Sequence, residues 1–510
     1  MSALFQSSNL PAWLVLVPVI GGVVTFLLPV RLRGGVGLLF AALTTLPALF
    51  AGWLLTGGTS MRHALGGWEA PLGIALELDG LGAVFILMTA VVGLIVSIYA
   101  RVYFSTVVPD PARASMFWPL WLLLWAGLNG MYLSEDLFNL YVVIEVVGIA
   151  AVGLAVLSGK TPALVAGLRY LIAAIVGSMA YLMGVALLFG ATGVLDISMA
   201  AAALDSGPTA RTAFALILLG LMVKTALFPL HFWLPPAHSS AEPPVSAILS
   251  ALVLKGTFYI ILRLWVEIFD VSLSFAAGQI VGALGATAVI WGSLQALRQD
   301  RLKLVIAHSS VAQIGYLFLL FPLITVPLGA SGEAEWAIFA WTGAIYQVLA
   351  HGFAKAAFFL AIGVVVIAFG NDRRESILNL VGRLPMVTFA IGLAGVSLIG
   401  LPPSGGFLAK WMLLKAVFAS GQWWWVPFIL VGSLLTAGYI FMILRLAFAP
   451  ADKEVPMRKV PRGLQLCALL LAIAAIVIAL PAEWITGLLQ GMSAFGDPVE
   501  LMSNGGEAVR

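Results

Sequence analysis

Long hydrophobic runs alternate with short polar segments along the whole chain. Each run is near the 20 residues that a helix needs to cross a hydrocarbon core about 30 Å thick, and the segments between runs hold Pro, Gly and nearly all the charge. The pattern predicts an all-α, polytopic membrane protein with about fourteen transmembrane helices. Their approximate ranges are 12–30, 35–56, 80–104, 115–133, 137–158, 163–190, 212–233, 244–267, 275–297, 303–322, 337–369, 386–418, 424–449 and 464–490.

The twelfth run carries a helix-breaking sequence in its middle. Gly400, Pro402, Pro403, Gly405 and Gly406 follow one another closely there. Because proline removes a backbone donor and its ring clashes with the preceding turn, the helix should break at membrane depth. Non-helical backbone at that depth must face protein or water.

Lysine and arginine are distributed unevenly between the two alternating sets of connections. About sixteen fall in one set and about four in the other, so the basic set is predicted to be cytoplasmic. The outer set is relatively acidic, and an even number of spans then places both termini outside. The basic set is Arg31, Arg33, Arg101, Arg113, Lys160, Arg298, Arg301, Lys303, Arg373, Arg374, Arg383, Arg445, Lys453, Arg458, Lys459 and Arg462. The outer set is Arg62, Arg211, Arg263 and Arg510, with Glu69, Asp79, Glu135, Asp196, Asp205, Glu333 and Glu335.

A weak internal repeat links two apolar segments. LVLKGTFYIILRL at 252–264 aligns with LLTAGYIFMILRL at 434–446, which places Arg263 opposite Arg445. The two copies carry opposite predicted orientations, as inverted-topology halves do, and transporters commonly place their ion path where such halves meet. Chance similarity between two apolar helices is the alternative explanation.

Composition excludes several classes of function. Of 510 residues, 62% are hydrophobic and 10% charged, with a mean hydropathy of +1.07, which rules out a water-soluble fold. The net charge of +3 is spread too thinly to bind nucleic acid. The single cysteine, Cys467, allows no disulfide framework, and no nucleophile elbow, metal motif or phosphate loop is present, so no cofactor, metal or ATP is expected.

Six basic residues lie inside the hydrophobic runs. Lys255 falls about 16 Å past Pro244, and Glu145 falls about 13 Å past Asp136, so both are near the middle of the bilayer. A charge at that depth costs several kcal/mol unless it is paired or hydrated, and its repetition indicates a pathway. The six are Arg169, Lys224, Lys255, Lys355, Lys410 and Lys415.

Lysine suits a proton pathway better than arginine, because a desolvated lysine can release its proton whereas arginine stays charged. Lys224, Lys255 and Lys410 have no interface within easy reach, and Glu145 is the expected partner of one of them. We therefore predict that these four residues carry protons.

The other basic residues admit structural explanations. Lys415 near a helix end fits snorkelling to the interface, and Arg169 fits an anchor or a structural ion pair. His351 and Lys355, four residues apart, share a helix face and could pass a proton along, although a hydrogen-bonded core histidine explains the pattern as well. His308, beside two serines, suits proton uptake from the cytoplasmic side or a capping role.

Two further histidines flank a proline-rich bend. His231 and His238 are seven residues apart there, with no accompanying metal-ligand pattern. We keep them as candidate proton-path residues rather than metal ligands.

The stretch LMVKTALFPLHFWLPPAHSSAEPPVSAILSALVLKGTFYIILRLW at 221–265 closely resembles the antiporter-like subunits shared by Mrp-type sodium/proton antiporters, respiratory complex I and energy-converting hydrogenases. The segments NLYVVIEVVG, AHGFAKAAFFL and GLPPSGGFLAKWMLL extend the resemblance over about residues 80–450. The segments GGWEAPLGIALELDGLGAVF and GQWWWVPFILVGSLLTAGY, with the chain length, favour the D-type subunit of Mrp.

The resemblance implies fourteen helices with two inverted five-helix repeats, each containing a broken helix, and a hydrated row of charges across the membrane middle. In the family's pattern Glu145 matches the fifth-helix glutamate, Lys224 its seventh-helix lysine partner and Lys255 the eighth-helix lysine. Lys410 matches the twelfth-helix charge that ends the path, and His351 matches the eleventh-helix histidine.

Two positions vary from the common family pattern. Lys355 matches a lysine that only part of the family carries. Glu242 stands where relatives often have proline, and adds a carboxylate near His238 that could serve proton or cation uptake or be an ordinary solvated loop residue.

We therefore predict a proton-translocating subunit of an Mrp-type monovalent cation/proton antiporter in the bacterial inner membrane, partnered by other membrane subunits. The alternative is a membrane-arm subunit of a complex I-like oxidoreductase or hydrogenase, and a third interpretation is a scaffold with a vestigial path. The predicted divisions are N-terminal helices at 1–110, a first repeat at 111–270, a second at 271–450 and a C-terminal part at 451–510.

Overall fold

A computed structural model describes residues 9–55, 60–108, 110–269, 273–325, 335–451 and 456–489. Most of these residues lie in helices that pack into one bundle with a continuous apolar core. The main helices are α1 (Leu10–Leu27), α2 (Val30–Leu54), α3 (Gly80–Thr106), α4 (Phe117–Leu133), α5 (Leu137–Ala155), α6 (Thr161–Thr192), α7 (Pro208–Thr225), α8 (Leu234–Ser240), α9 (Pro243–Glu267), α10 (Phe275–Arg298), α11 (Leu302–Phe318), α12 (Glu335–Phe369), α13 (Pro385–Ile399), α14 (Gly405–Ala419), α15 (Val426–Phe448), α16 (Arg462–Val477) and α17 (Ala482–Leu488).

The structure confirms a polytopic, predominantly helical membrane protein. Among the described residues, 10 helices are long and apolar enough to cross a membrane, and up to 11 if the bent pair of α16 and α17 is one span. The remaining predicted spans coincide with shorter helices or with helices that are broken in the middle. The central helix α9 is buried along its whole hydrophobic window, whereas α1, α2 and α15 expose apolar side chains on their outer faces. An apolar solvent rather than water therefore suits the outside of the bundle.

The predicted break in the twelfth run is confirmed. Helix α13 ends at Ile399, and Gly400 adopts a left-handed conformation with φ 88°, which glycine accepts without a Cβ penalty. Helix α14 restarts at Gly405, where the Ser404 hydroxyl accepts a 3.2 Å hydrogen bond from the Phe407 amide.

A similar break lies in the seventh run, where the hydrophobic pattern predicts one continuous span at 212–233. Helix α7 ends at Thr225, and Ala226 is left-handed with φ 57°. The indole of Trp233 donates a 2.9 Å hydrogen bond to the Val223 carbonyl, which also accepts from the Ala226 amide at 3.2 Å, so a side chain and the backbone both hold the end of the helix. Helix α8 then begins at Leu234.

Two other expectations need correction, and one feature was not foreseen. The chain is not purely helical, because strands β1 (Met61–Ala64) and β2 (Ala75–Leu78) form an antiparallel hairpin in a connection. The last predicted span is bent by 80° between α16 and α17. Helix α9 contains a π-helical stretch at Leu249–Val253, which hydrophobic periodicity does not reveal.

The two predicted sets of connections lie apart in the structure. Four residues of the basic set, Lys160, Arg301, Lys303 and Arg373, line a single cavity. Four residues of the outer set meet in two contacts: Arg62 pairs with Asp196 at 2.9 Å, and Arg263 pairs with Glu135 at 2.7 Å. Both chain ends, with Glu333, Lys453 and Arg510, lie outside the described residues.

Candidate functional site

Glu145 and Lys224 meet between α5 and the end of α7. The Nζ of Lys224 lies 3.3 Å from the Oε1 of Glu145, and the hydroxyl of Ser178 on α6 donates to the same oxygen. The lysine side chain is 7% exposed and the glutamate 28%. Gly148 and Gly177 make room for the amine, since a Cβ at either position would lie within 3.6 Å of the Lys224 side chain. The pair predicted from the sequence is thus assembled, with the amine buried and the carboxylate partly exposed.

A small cavity of about 20 Å³ lies beside this pair. Lys224, Tyr170, Val253 and Thr257 are among its lining residues. This volume holds about one water molecule, and the amine and the threonine hydroxyl are polar neighbours for it. The cavity leads from α7 toward α9, where Thr225 donates a 2.9 Å hydrogen bond to Thr257.

Lys255 is fully buried on α9. It is the second residue of the α-helical segment that follows the π-helical stretch. Its Nζ donates to the carbonyl of Ser250, five residues earlier, in the π-helical stretch. A π-turn shifts the backbone hydrogen bonds, so a carbonyl becomes available to a side chain at this depth. The hydroxyls of Ser250 and Ser310 are 2.9 Å apart, which joins α9 to α11.

Lys355 and His351 extend the row onto α12. The Nζ of Lys355 donates to the carbonyl of Ile306 at 3.0 Å and to the hydroxyl of Ser309. His351 is 1% exposed, and neither ring nitrogen has a hydrogen-bond partner within the described part of the chain. The charges of Lys255 and Lys355 both act on this imidazole. No described protein group satisfies this imidazole, as the alternative explanation of a hydrogen-bonded core histidine would require.

Three more candidate histidines lie around this group. His238 on α8 is fully buried, its ring packs on Phe359 at 5.1 Å, and both of its nitrogens lack a partner among the described residues. His231 and His308 are partly buried and lie close enough for their charges to interact. Nδ1 of each is likewise without a partner in that part of the chain.

Lys410 lies at the break between α13 and α14. Its Nζ donates to the carbonyls of Leu398 at 3.0 Å and Ile399 at 2.8 Å, and stands 4.6 Å above the ring of Tyr316. The last carbonyls of a helix are unpaired and carry partial negative charge, so they stabilise an ammonium group there. Lys415 differs, because it is exposed and contacts the face of Phe339.

Side-chain amides connect Lys410 to α12, and sequence reasoning missed them. Gln347 donates a 2.8 Å hydrogen bond to the side-chain oxygen of Gln313, whose amide donates to the Leu398 carbonyl at 3.3 Å. Both glutamines are about 2% exposed or less. Their position within apolar runs was the available signal, but it is a weak one, because neutral polar residues carry a smaller burial cost than charges.

Together these residues form a central row of polar groups from Glu145 to Lys410. Amines alternate in it with hydroxyls, amides and free helix carbonyls, all of which can hydrogen bond to water. Arg169 does not join the row, since it is exposed on the outer face of α6. Within the described ranges, no group of three or more His, Cys, Asp or Glu residues could hold a metal ion.

A second buried charge cluster lies at the opposite end of α9. Arg263 is 6% exposed and donates to Glu135 at 2.7 Å and to Glu267 at 2.8 and 3.0 Å. Asp79 caps α3 by accepting a 2.6 Å hydrogen bond from Gly82. Burial raises the pKa of Glu135 to about 7 and that of Asp79 to about 6, although the Arg263 charge opposes both shifts.

We expect Glu135 to titrate near neutral pH. Below about pH 7 its carboxyl should be protonated and give an infrared carbonyl band, which should disappear as the pH rises through 7. Glu135→Gln should abolish this band. Asp79→Asn is the matched control: it should retain the band that titrates near 7 and lose the one near 6. A Glu135 band absent at pH 5 would contradict the assignment.

Comparisons with known proteins show which family this chain is similar to. Residues 134–436 match the family described as NADH:quinone oxidoreductase/Mrp antiporter, TM. NADH-quinone oxidoreductase subunit N of Desulforudis audaxviator is 34% identical over 510 residues, covering 94% of this chain and 97% of the relative. The D-type subunit of the Na⁺/H⁺ antiporter of Bacillus subtilis is 29% identical over 428 residues, covering 83% of each.

The fold also matches a solved complex. A chain in the structure of the Mrp complex from Dietzia sp. DQ12-45-1b superposes with a TM-score of 0.82 at 26% identity, covering 97% of this chain and 99% of that chain. The resemblance stated from the sequence is therefore confirmed. By the family match over 134–436 and by its relatives, this chain belongs to the NADH:quinone oxidoreductase/Mrp antiporter family of membrane proteins.

Proposed function

We propose that this chain is the proton-carrying subunit of a multisubunit monovalent cation/proton antiporter of Mrp type. The observation that carries the proposal is the central row from Glu145 through Lys224, Lys255 and Lys355 to Lys410. Holding four amines inside an apolar bundle costs several kcal/mol each unless they are paired or hydrated, and the repetition of this cost supports a pathway. The Na⁺/H⁺ antiporter relative from Bacillus subtilis and the Mrp complex support both the cation and the partner membrane subunits.

Within the row each residue has a proposed role. Glu145 and Lys224 form a pair that changes protonation together, because their charged atoms lie 3.3 Å apart and can pass a proton between them. Lys255 and Lys355, with His351, relay protons through the centre, and Lys410 ends the row at the second helix break. His231, His238 and His308 connect the row to the side predicted to be cytoplasmic.

The finer architecture is part of the proposal. Fourteen spans in two inverted five-helix repeats, at 111–270 and 271–450, are supported by the two broken helices and by the aligned segments on α9 and α15. N-terminal helices at 1–110 and a C-terminal part at 451–510 flank the repeats. The clustering of basic connections around one cavity supports a cytoplasmic location for that end of the bundle, and hence outer termini in the bacterial inner membrane.

A second candidate function rests on one specific match. The relative in Desulforudis audaxviator, at 34% identity over 94% of this chain, is named as a subunit of an NADH-quinone oxidoreductase. The same central row would then carry protons in the membrane arm of a redox-driven complex. The row itself is common to both functions and does not separate them.

Copurification with transport assays tests the proposal. A tagged chain isolated in mild detergent should bring down small hydrophobic membrane subunits, and the isolated complex in liposomes should exchange Na⁺ for protons without any electron donor. Copurified flavin or iron–sulfur proteins, with proton movement only on adding a reductant and a quinone, would favour the second function. A complex that moves no protons under either condition would refute both.

A further inference from the structure

A small basic cavity lies at the edge of the bundle, where α2 begins. Its volume is about 170 Å³, several times the roughly 30 Å³ that a water molecule occupies in the liquid, so a five-atom phosphate group fits inside it. We call it the Arg101 cavity, and it is separate from the central row. Its lining includes Arg31 and Gly34 of α2, Arg101 and Ser105 of α3, Ser115, and Trp118 of α4.

Two arginines of this cavity are unpaired. The side chains of Arg31 and Arg101 are exposed, and neither makes a hydrogen bond or an ion pair with any part of the chain that the structure describes. Arg33 contrasts with them, because its guanidinium donates at 3.0 and 2.9 Å to the carbonyls of Phe26 and Leu28. No acidic residue is among those that line the cavity. The cavity therefore presents positive charge that the protein does not compensate.

The carboxylate nearest to the cavity along the chain is already engaged. Asp110 precedes the short helix Pro111–Ser115, and its side chain accepts hydrogen bonds of 3.1 and 3.2 Å from the amides of Ala112 and Arg113. Its other carboxylate oxygen lies 3.6 Å from Nε of Arg113. Asp110 thus serves its own helix and pairs with neither arginine of the cavity.

A buried indole adds a further donor to the cavity. Trp118 is 2% exposed, and its Nε1–H group has no hydrogen-bond partner in the described ranges. A Cβ atom at Gly34 would lie 3.4 Å from that nitrogen and 3.3 Å from Nε of Arg101. Two N–H donors therefore converge on the space that Gly34 leaves open by having no side chain. Since an indole N–H can only donate, and leaving it unpaired costs free energy, this space suits a hydrogen-bond acceptor.

The combination of donors indicates that the acceptor is an anion. Guanidinium groups form short, charge-assisted hydrogen bonds to phosphate oxygens, and their planar fork matches phosphate geometry. Helix α2 is 25 residues long and begins at Val30 in the wall of the cavity, so the positive end of its dipole also favours negative charge there.

The surroundings of the cavity favour a lipid as the source of the anion. Phe26, Leu27 and Leu32, close to Arg31 in the chain, are 56%, 75% and 46% exposed, so this edge of the bundle suits hydrocarbon. Arg31 is the second residue of α2, and Arg101 lies in the last two turns of α3. Arginines at the ends of membrane helices extend to the depth of the lipid headgroups.

We propose that the Arg101 cavity binds the phosphate group of an anionic phospholipid. Arg31 and Arg101 pair with the phosphate oxygens, the Trp118 indole donates to one of them, and the acyl chains lie along the exposed apolar side chains of α1 and α2. A zwitterionic lipid fits less well, because its cationic headgroup finds two arginines and no acidic residue in the lining. This site is additional to the proton-carrying function and does not depend on it.

Lipid titration of the whole complex tests the site. In native mass spectrometry of the delipidated complex in a maltoside detergent, the first molecule of phosphatidylglycerol should bind more tightly than the first molecule of phosphatidylcholine. Arg101→Gln should weaken that first phosphatidylglycerol step about tenfold, because it removes a charged donor to the phosphate. Arg298→Gln is the matched control: it removes an exposed arginine of the same basic set that does not line the cavity, and should leave the step unchanged.

Gly34→Leu tests the cavity without changing any charge. Its side chain would fill the space between Arg101 and Trp118, so the first phosphatidylglycerol step should again weaken about tenfold. General attraction of anionic lipids to a basic surface depends on charge alone and would not change in this variant. Gly34→Leu, with Arg31→Gln at a second exposed arginine, also keeps the test decisive if Arg101→Gln fails to assemble.

The proposal is overturned if Arg101→Gln and Gly34→Leu bind phosphatidylglycerol like the unmodified complex, which is the result expected if a partner subunit covers the cavity. It is also overturned if phosphatidylcholine binds as tightly, or if inorganic phosphate at equal concentration displaces phosphatidylglycerol, since the site would then take a free anion. Binding is measured without transport, so a complex that moves no protons refutes the proposed function and leaves this result unaffected.

Discussion

Lys224→Met is expected to reduce proton transport by about 100-fold or more in the assembled complex. Removal of the amine leaves Glu145 without the partner with which it would exchange a proton. A positioned general acid–base group typically contributes about 100-fold or more, and this sets the expected loss. Glu145→Gln should have a similar effect, because it removes the proton-binding partner. Na⁺-driven quenching of a pH-sensitive dye in liposomes measures both.

The double variant separates transport from folding. With Glu145→Gln and Lys224→Met combined, no unpaired charge remains, so assembly and thermal stability should recover relative to either single variant. Transport should stay lost, because the pair that changes protonation is gone. Recovery of transport together with stability would show that the pair is structural only. Lys415→Met, at an exposed lysine that contacts Phe339, is the matched control and should transport normally.

Lys410→Arg is expected to fold and assemble normally but to transport about 100-fold more slowly. Arginine can still donate to the carbonyls of Leu398 and Ile399 and stand over the ring of Tyr316, so the helix break keeps its cation. It does not release its proton in the accessible pH range, so the end of the row should be blocked; general acid–base groups typically contribute about 100-fold or more. Transport and unfolding temperature should be measured on the same preparation.

The equivalent change at Lys415 controls for the bulk of arginine. Lys415→Arg keeps a cation over Phe339 on the exposed side of α14 and should leave transport unchanged. Lys410→Gln, in contrast, removes the charge that holds the last carbonyls of α13, so it should lower both stability and transport. Normal transport by Lys410→Arg would exclude proton release from this residue.

Local sequence decided much of the fold. Hydrophobic length alone predicted the membrane class and the places of the spans, because a bilayer forces every spanning segment to satisfy its own backbone hydrogen bonds. Proline and glycine likewise predicted the break at Gly400, since their backbone restrictions are local. The hydrophobic pattern alone missed the break after Thr225, which only the family resemblance implied, because it depends on Ala226 adopting a left-handed conformation that tertiary contacts such as the Trp233 indole stabilise.

The candidate site, like the fold, was determined partly by the sequence and partly by the tertiary structure. The sequence by itself determined which groups are costly to bury, and so selected Glu145, Lys224, Lys255 and Lys410, because depth in the membrane can be counted along a helix and a deep charge needs a partner or water wherever it lies. Only the tertiary structure decided what those charges contact. The pairing of Lys224 with Glu145, the glutamine link and the cavity lined by Glu242 and Lys303 all join residues distant in the chain. Such contacts are set by how helices pack, which periodicity does not encode.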